Sequence, residues 1–177
     1  MRTETQTIVI FSFSELSDKA KQAAKDDFAQ SEGFTRGYEA LDTITKLAEH
    51  FDGTLADYDI DWTGGMYSRI KFDMPEDMSG REIRRRLGQL GTYNKRTGRG
   101  NGDCKLTGYC YDEDAIDGFR LAFRGGERDL NKLMDAAFRS LLKATEADYD
   151  YDYSDEGFGE TCDANEWEFR ADGSFHK

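Results

Sequence analysis

The stretch EADYDYDYSDEGFGE, residues 146–160, concentrates residue types that could do chemistry. Seven of its fifteen residues are carboxylates, three are tyrosines, and none is basic. Clustered carboxylates can bind a cation, or they can form a surface that attracts a basic partner. The same acids are also typical of a solvated helix end, so three interpretations have to be compared.

A calcium loop is the most specific chemistry that this stretch could encode. Counted from Asp152, its residues occupy positions 1, 3, 5, 6, 9 and 12 of an EF-hand loop: Asp152, Ser154, Glu156, Gly157, Glu160 and Asp163. Position 12 is, however, an aspartate instead of the longer bidentate glutamate, and position 8 is Gly159 instead of an apolar anchor. The pattern therefore disfavours calcium, and we predict neither a metal nor a cofactor.

A second acidic set consists of Asp57, Asp59 and Asp61, which alternate with apolar residues along a predicted strand. Successive side chains on one face of a strand are about 7 Å apart. This spacing is too wide for three carboxylates to hold one cation unless the strand bends. A solvated strand face is therefore the favoured interpretation of these aspartates.

Residues for catalysis are sparse. The chain has two histidines, His50 and His176, and lacks the common hydrolase, metalloprotease, Walker and dinucleotide-binding motifs. Cys104 and Cys110 have the alternation of buried strand positions, where a free cysteine behaves as a small apolar residue. The sequence therefore predicts a protein that is not an enzyme, with an enzyme acting on a small metabolite or signalling nucleotide as a third alternative.

A basic segment, REIRRRLGQLGTYNKRTGRG, covers residues 81–100 and carries seven basic residues and one acidic residue. Such a segment could bind nucleic acid. It could equally pair with the acidic end of the chain, within a monomer or across a homodimer. Pairing is the favoured interpretation, and the nucleic-acid alternative would use Arg84, Arg85, Arg86, Lys95, Arg96 and Arg99.

The composition limits the classes of partner. The chain has 177 residues, 37% of them hydrophobic, and a net charge of −12, which disfavours membranes and direct nucleic-acid binding and favours basic partners. No apolar run is long enough to span a membrane, and the opening MRTETQTIVIFSF lacks the pattern of a secretory signal. We therefore expect a cytoplasmic protein with reduced cysteines.

The first half of the chain predicts strands and helices in turn. Residues 7–13 are typical of a strand, and Leu16 and Ser17 of the start of a helix that bears Ala20, Ala24 and Phe28 and ends at Gly33. A second helix is predicted over 36–51, with Leu41, Ile44, Ala48 and Phe51 inward. Residues 55–74 predict a hairpin that turns at Thr63–Gly65 and buries Tyr58, Ile60 and Trp62, and Ser79 and Glu82 precede a short helix with Ile83, Leu87 and Leu90 inward.

The second half predicts a basic loop over 91–102, two strands and further helical structure. One strand carries Cys104, Leu106 and Cys110, and the other carries Phe119, Leu121 and Phe123. A long helix follows over about 126–148, with Leu130, Leu133, Met134, Ala137 and Leu141 inward, and a terminal hairpin turns at Ala171–Gly173. The predicted fold is a single α+β domain over residues 1–177, an antiparallel sheet of hairpins packed against two to four helices, with an acidic C-terminal region from about residue 144.

Both ends of the chain resemble a family of small, mostly uncharacterised proteins encoded by phages and prophages. The opening FSELSDKAKQAA, residues 13–24, is similar to that family's F-x-E-L-S-x-x-A-K/Q-x-x-A start. The segment YDYDYSDEGFGETCDANEWEFRADG, residues 149–173, is similar to its closing block, which ends A-N-E-aromatic-x-F-x-x-D-G. The resemblance implies a helix over 155–165 and a class of proteins that act on host machinery, such as anti-CRISPR and anti-restriction proteins.

Charge and resemblance together predict an anti-CRISPR-like inhibitor of a host defence complex. The inhibitor would offer carboxylates to the basic groove of a protein or ribonucleoprotein, in place of a nucleic acid. The predicted partner-binding residues are Asp148, Tyr149, Asp150, Tyr151, Asp152, Tyr153, Asp155, Glu156 and Glu160, extended by Asp57, Asp59 and Asp61. The alternative is a nucleic-acid-binding regulator or antitoxin-like protein that uses the arginines of residues 81–100.

Overall fold

The computed structural model describes residues 8–31, 36–62, 68–91, 93–94, 99–100 and 106–176. These residues form an α+β protein, as the sequence predicts, but they contain six α-helices instead of two to four, and two separate strand pairs instead of one sheet. The α-helices in this part of the chain are α1 (Asp18–Ser31), α2 (Gly37–His50), α3 (Gly80–Gln89), α4 (Tyr111–Arg124), α5 (Leu130–Asp152) and α6 (Asp155–Ala164). The strands form two antiparallel pairs, β1 (Thr54–Asp59) with β2 (Arg69–Asp73), and β3 (Tyr93–Asn94) with β4 (Arg99–Gly100).

The chain divides into two compact units. The terminal unit combines Met1–Thr35 with Asp148–Lys177, and the central unit comprises Arg36–Ala147. A single domain over the whole chain stays a prediction. Within the described ranges, no helix is both long enough and apolar enough to cross a membrane.

Helices α2, α4 and α5 supply most of the core of the central unit. The predicted inward face of α5 is confirmed, since Leu133 and Leu141 are fully buried. Of the face predicted for α2, Ile44, Ala48 and Phe51 are buried and Leu41 is half-buried. Phe51, at the end of α2, stacks on another buried ring, that of Phe119, with ring centroids 4.6 Å apart. The helix predicted behind Ser79 is also confirmed, because the Ser79 side chain accepts a hydrogen bond from the backbone N–H of Glu82 and Ile83 and Leu87 are buried.

The predicted hairpin is confirmed in its pairing and corrected in its burial. β1 and β2 are antiparallel and pair Thr54 with Asp73 and Asp59 with Arg69, with a register shift between Leu55 and Asp57. The prediction that Tyr58 is buried is wrong, since half of its surface is exposed. A two-stranded ribbon with an irregular register does not keep the strict alternation of a broad half-buried sheet. The predicted turn at Thr63–Gly65 lies outside the described residues.

Helix α4 replaces a predicted strand. Phe119 and Phe123 are buried, whereas Leu121 between them is 74% exposed, so the predicted alternation of three inward residues is wrong. Ala115, Phe119 and Phe123 are spaced by four residues and form one face of the helix. Cys110 is exposed at the start of α4, so its predicted buried strand position is wrong as well, while Cys104 lies outside the described residues. Of the predicted loop 91–102, the short pair β3–β4 is described.

The terminal unit has a separate aromatic core. α1 contributes Ala20 and Ala24, as predicted, and Ser17 accepts a hydrogen bond from the backbone N–H of Ala20 at 3.3 Å. The core rings of this unit are Phe13, Phe158 and Phe169, of which Phe13 and Phe158 meet edge to face with centroids 5.0 Å apart. The predicted end of the first helix, Gly33, is not among the described residues.

The strand predicted over residues 7–13 is largely wrong. A single antiparallel bridge joins Phe11 to Phe169, and a short 3₁₀ helix follows at Phe13–Glu15. The reason is local, because the backbone N–H of Ser12 donates to a carboxylate oxygen of Glu15 at 2.8 Å and turns the chain away from extended geometry. The predicted C-terminal turn is confirmed by a second bridge, Phe169 to Phe175, and by the left-handed φ of 91° at Gly173.

Helix α6 occupies the part of the chain where the resemblance implied a helix. Ser154 caps it by accepting a hydrogen bond from the backbone N–H of Gly157 at 3.0 Å. Because Asp155–Ala164 is helical, residues 152–163 do not wind around a cation as an EF-hand loop does. Within the described ranges, no group of three or more His, Cys, Asp or Glu side chains is arranged to hold a metal ion.

Replacing each of the two glycines of α6 by alanine is expected to change the free energy of unfolding in opposite directions. A Cβ atom at Gly157 would overlap the carbonyl oxygen of Tyr151 and lie 2.9 Å from its carbonyl carbon, both backbone atoms. We therefore expect Gly157→Ala to lower the free energy of unfolding by about 1–3 kcal/mol. At Gly159 the nearest atom to a new Cβ is a ring carbon of Phe13 at 3.5 Å, which is ordinary contact, so Gly159→Ala should raise stability by up to about 1 kcal/mol.

Urea denaturation of the two single variants and the wild type, followed by circular dichroism, measures both changes. A stability gain at Gly157 would contradict the close approach of α6 to Tyr151. Equal losses of stability at the two glycines would show instead that a methyl group is unfavourable at either position.

Candidate functional site

The end of α5 and the whole of α6 carry the acidic stretch that the sequence analysis singles out. The two helices meet at Ser154, whose hydroxyl donates to the carbonyl oxygen of Tyr151 at 2.7 Å while it caps α6. This tight junction places the last turn of α5 next to the first turn of α6. The predicted site residues 148–160 therefore belong to one helical corner of the terminal unit.

The three tyrosines of the stretch do not share one role. Tyr149 and Tyr153, four residues apart on α5 and its end, contact each other with ring centroids 4.4 Å apart. Tyr153 also lies 6.1 Å from the ring of Phe28, and burial is the main cause that raises the pKa of its hydroxyl. Tyr151, by contrast, is 46% exposed. That the three rings present contact area to a partner stays a prediction.

Tyr151 is tied to the acidic surface of α6. Its hydroxyl donates a hydrogen bond to Oε2 of Glu160 at 2.9 Å. This hydrogen bond is the largest cause of a raised pKa at Tyr151, and the charges of Glu160, Glu156 and Asp152 raise it further. The hydroxyl of Tyr151 therefore stays protonated, and its exposed ring lies among carboxylates.

Glu156, Glu160 and Asp163 form an exposed row along α6, which we call the acidic row. Their spacing of four and three residues places them on one face of the helix. The opposite face carries Phe158 and Cys162, both of which are buried in the core of the terminal unit. Among the described residues, no ion pair neutralises the acidic row.

The remaining predicted acids of the corner vary in exposure. Asp150 and Asp155 are exposed, whereas Asp148 and Asp152 are half-buried. Asp155 accepts a salt bridge from Lys25 at 2.7 Å, and this hydrogen bond lowers the pKa of its carboxyl. Asp155 is thus partly neutralised within its own unit, unlike the acidic row.

Negative charge is concentrated in the terminal unit. That unit contains sixteen acidic and six basic residues, whereas the central unit contains twenty acidic and eighteen basic residues. Ten of the twelve net negative charges therefore belong to the smaller unit. A cationic partner is attracted first to such a surface, because like charges there reinforce one another.

Asp57, Asp59 and Asp61 belong to the central unit, on β1 and directly after it. Arg69 on β2 pairs with the first two, with N–O distances of 3.4 Å to Asp57 and 3.9 Å to Asp59. The two strand aspartates share one arginine and are therefore partly balanced locally, as expected for a solvated strand face.

Two of the six predicted basic residues, Arg85 and Arg86, are used for internal contacts. Arg86 donates to the carbonyl oxygen of His50 at 2.9 Å and pairs with both Asp52 and Glu82. Arg85 pairs with Glu82 through two nitrogens. The expected partner of these arginines was the acidic end of the chain, and the acids that pair with them are instead Asp52 and Glu82 of the central unit.

The other candidates for nucleic-acid binding divide into two groups. Arg84 is exposed on α3 and forms no ion pair with the described residues. Lys95 and Arg96 are not among the described residues, and Arg99 is described as part of β4.

The carboxylate of Glu82 is expected to stabilise the fold to a degree that depends on pH. Hydrogen bonds from Arg85 and Arg86 lower the pKa of its carboxyl to about 2. Because this value is below the pKa of an unfolded glutamate, about 4.3, the stabilisation is complete above that pH and is lost as the pH falls towards 2. The stability difference between the wild type and Glu82→Gln should therefore shrink over this acid range in urea denaturation.

Glu76→Gln is the matched control, since Glu76 is exposed in the same unit and pairs with none of the described residues. A constant difference at Glu82 across the acid range would mean that its charge does not stabilise the fold.

Cys162 in the terminal unit and His50 in the central unit are both engaged within the fold. Burial raises the pKa of the Cys162 thiol to about 12, so it is protonated and unreactive at neutral pH. His50 uses Nε2 for a 2.9 Å hydrogen bond with the carbonyl oxygen of Arg86. These contacts are those of structural residues.

Asp163 is the residue of the acidic row that the sequence analysis did not count as a partner-binding residue. It was considered as the last position of a calcium loop. The signal that identifies it is its distance of three and seven residues from Glu160 and Glu156, which has meaning once residues 155–164 are taken as a helix.

No protein-family model, curated protein or solved structure matches this chain.

Proposed function

We propose that the terminal unit is an acidic binding module that occupies a basic nucleic-acid-binding surface of another protein. The acidic row carries this proposal. Three carboxylates lie on the solvent side of α6, and Phe158 and Cys162 anchor the other side of the helix in the core. A fixed helix holds its charges in place before binding, which reduces the entropy cost of forming the complex.

The spacing of the row is similar to that of a nucleic-acid strand. A helix rises 1.5 Å per residue, so the row extends over about 10 Å and presents a charge roughly every 5 Å. One strand of duplex DNA presents a phosphate every 3.4 Å of axis. The two charge densities agree within a factor of two, and a groove lined with Lys and Arg for DNA would also attract this helix.

In biological terms, we propose an inhibitor of a host defence complex, with anti-CRISPR proteins as the nearest class. The resemblance of both chain ends to phage-encoded proteins supports this class. The partner would be a protein or ribonucleoprotein in the cytoplasm of the host cell, and inhibition would need no catalysis. Homodimer formation is a separate proposal, in which the basic segment of one copy pairs with the acidic terminal unit of the other.

The alternative regulator, which would bind nucleic acid through residues 81–100, has weaker support. Arg85 and Arg86 are already paired with Glu82 and Asp52. Moving them onto phosphates would expose those acids to the negative backbone. The alternative therefore depends on Arg84 and on residues beyond α3.

The test is capture of host proteins on the immobilised full chain, followed by elution with duplex DNA or with neutral dextran. Release of nucleic-acid-binding proteins by DNA, and not by dextran, is the expected result. Captured proteins that DNA fails to displace would contradict the mimic, because a mimic and DNA share one site. Recovery of nucleic acid alone would favour the regulator.

A further inference from the structure

The structure also contains an arginine-lined pocket in the central unit, and we infer that it binds the terminal phosphate of a small ligand. This arginine pocket is formed by Arg84 on α3, Arg120 and Arg124 on α4, and Arg128 in the α4–α5 connection. Its volume is about 410 Å³, which is within the range of pockets that hold small ligands. The inference is independent of the proposed function, since it concerns the other unit.

The charge of the pocket is not balanced by its own lining. The lining contains four arginines and no acidic residue. Arg84 and Arg124 are exposed and form no ion pair with the described residues. Four guanidinium groups around one space, in a protein of net charge −12, repel one another unless an anion lies between them.

Arg120 is the most buried arginine of the pocket. Its guanidinium is half-buried and donates to the carbonyl oxygen of Gly91. Burial is the main cause that lowers its pKa, and the positive charge of Arg124 lowers it further. The charge of Asp117, at a shortest N–O distance of 3.8 Å, raises the pKa by more than Arg124 lowers it, so an acid outside the lining partly balances Arg120.

Arg128 is fixed by its neighbours, and part of its guanidinium remains available to a ligand. Its Nη1 donates to the carbonyl oxygen of Phe123 at 2.8 Å, and its guanidinium carbon lies 4.3 Å from the centre of the Phe123 ring. The Nε and Nη2 donors form no hydrogen bond with the described residues. A guanidinium fixed by stacking keeps its free N–H groups in a set direction, which favours planar recognition of an oxyanion.

The balance of charge selects a terminal phosphate over other anions. Arg84, Arg124 and Arg128 form no ion pair with the described residues, so the pocket offers at least three positive charges. A phosphate monoester carries about −1.5 to −2 at neutral pH and balances more of this charge than a carboxylate or a backbone phosphodiester, each of which carries a single negative charge. The buried side chains of Leu87 and Phe123 add an apolar floor for the rest of the ligand.

The experiment is calorimetric titration of the full chain with inorganic pyrophosphate. Arg84→Gln/Arg124→Gln should weaken binding by about 100-fold, since two charge-assisted hydrogen bonds are lost. Both side chains are exposed and unpaired within the described ranges, so the variant should keep the thermal midpoint of the wild type. Lys71→Gln/Lys143→Gln removes the same charge from exposed sites of the same unit and should bind as the wild type does.

Two short oligonucleotides distinguish the sources of phosphate. One carries a 5′-phosphate and the other a 5′-hydroxyl, and the pocket should bind the first at least tenfold more tightly. Equal binding would overturn the assignment to a terminal phosphate in favour of backbone recognition. Failure of the wild type to bind pyrophosphate, or an equal loss in the lysine control, would overturn the site.

Discussion

A chain in which Asp112 is replaced by alanine is expected to lose about 3–5 kcal/mol of unfolding free energy. Asp112 is fully buried at the start of α4. One of its carboxylate oxygens accepts hydrogen bonds from the hydroxyls of Thr43 at 2.8 Å and Thr107 at 2.6 Å. The other accepts the backbone N–H groups of Thr107 and Gly108, both at 3.0 Å.

These four hydrogen bonds join α2, through Thr43, to the loop that leads into α4. Alanine would remove the acceptor of four donors, of which the Thr43 hydroxyl is fully buried and the Thr107 and Gly108 groups are part-buried. The loss of these charge-assisted hydrogen bonds accounts for most of the expected effect. The two threonine hydroxyls lie 3.2 Å apart and could still pair with each other. Urea denaturation at neutral pH measures the change.

Asp112→Asn is the matched control because it keeps the shape of the side chain. Its amide oxygen can accept from the two backbone N–H groups, and its NH₂ group can donate to the two hydroxyls after these rotate. We expect a loss of roughly 1 kcal/mol, since the hydrogen bonds remain and the charge is removed. If asparagine were as harmful as alanine, the negative charge, and not the set of hydrogen bonds, would hold this junction together.

Helix α4 shows which part of the fold the sequence could predict. The helices at 37–50, 80–89 and 130–152 were predictable because each has an apolar face of several turns, and α3 also has a capping residue. Residues 111–124 allow two interpretations, since Phe119 and Phe123 fit both alternation and a spacing of four. The exposure of Leu121 separates the two interpretations. The buried hydrogen bond of Asp112 with Thr43, 69 positions away, could not be found from a local pattern.

The candidate site was predictable in position and less so in detail. The charge and tyrosine content of the stretch locate the acidic corner, but they do not show that its three rings differ in exposure. A helix separates these residues, so Tyr149 and Tyr153 pack together and Tyr151 stays outside. The pairing of Arg86 with Asp52, 34 residues away, could not be found from local sequence patterns at all.

Neutralising the acidic row is expected to weaken binding to the captured host partner by about 100-fold at low salt. The variant is Glu156→Gln/Glu160→Gln/Asp163→Asn, which keeps side-chain size and leaves the buried face of α6 untouched. Three lost charge pairs at roughly 1 kcal/mol each give this factor. Surface plasmon resonance on the purified partner measures it.

The control removes the same charge elsewhere: Asp73→Asn/Glu76→Gln/Asp77→Asn changes three exposed acids of the central unit. If net charge alone attracts the partner, both variants lose affinity equally and the acidic row is not the binding site. If the row is the site, the control binds almost as the wild type does, and the row variant shows a shallower decline of affinity with salt. That decline is decisive because a surface with fewer charges responds less to screening, whereas an apolar interface would respond little in every variant.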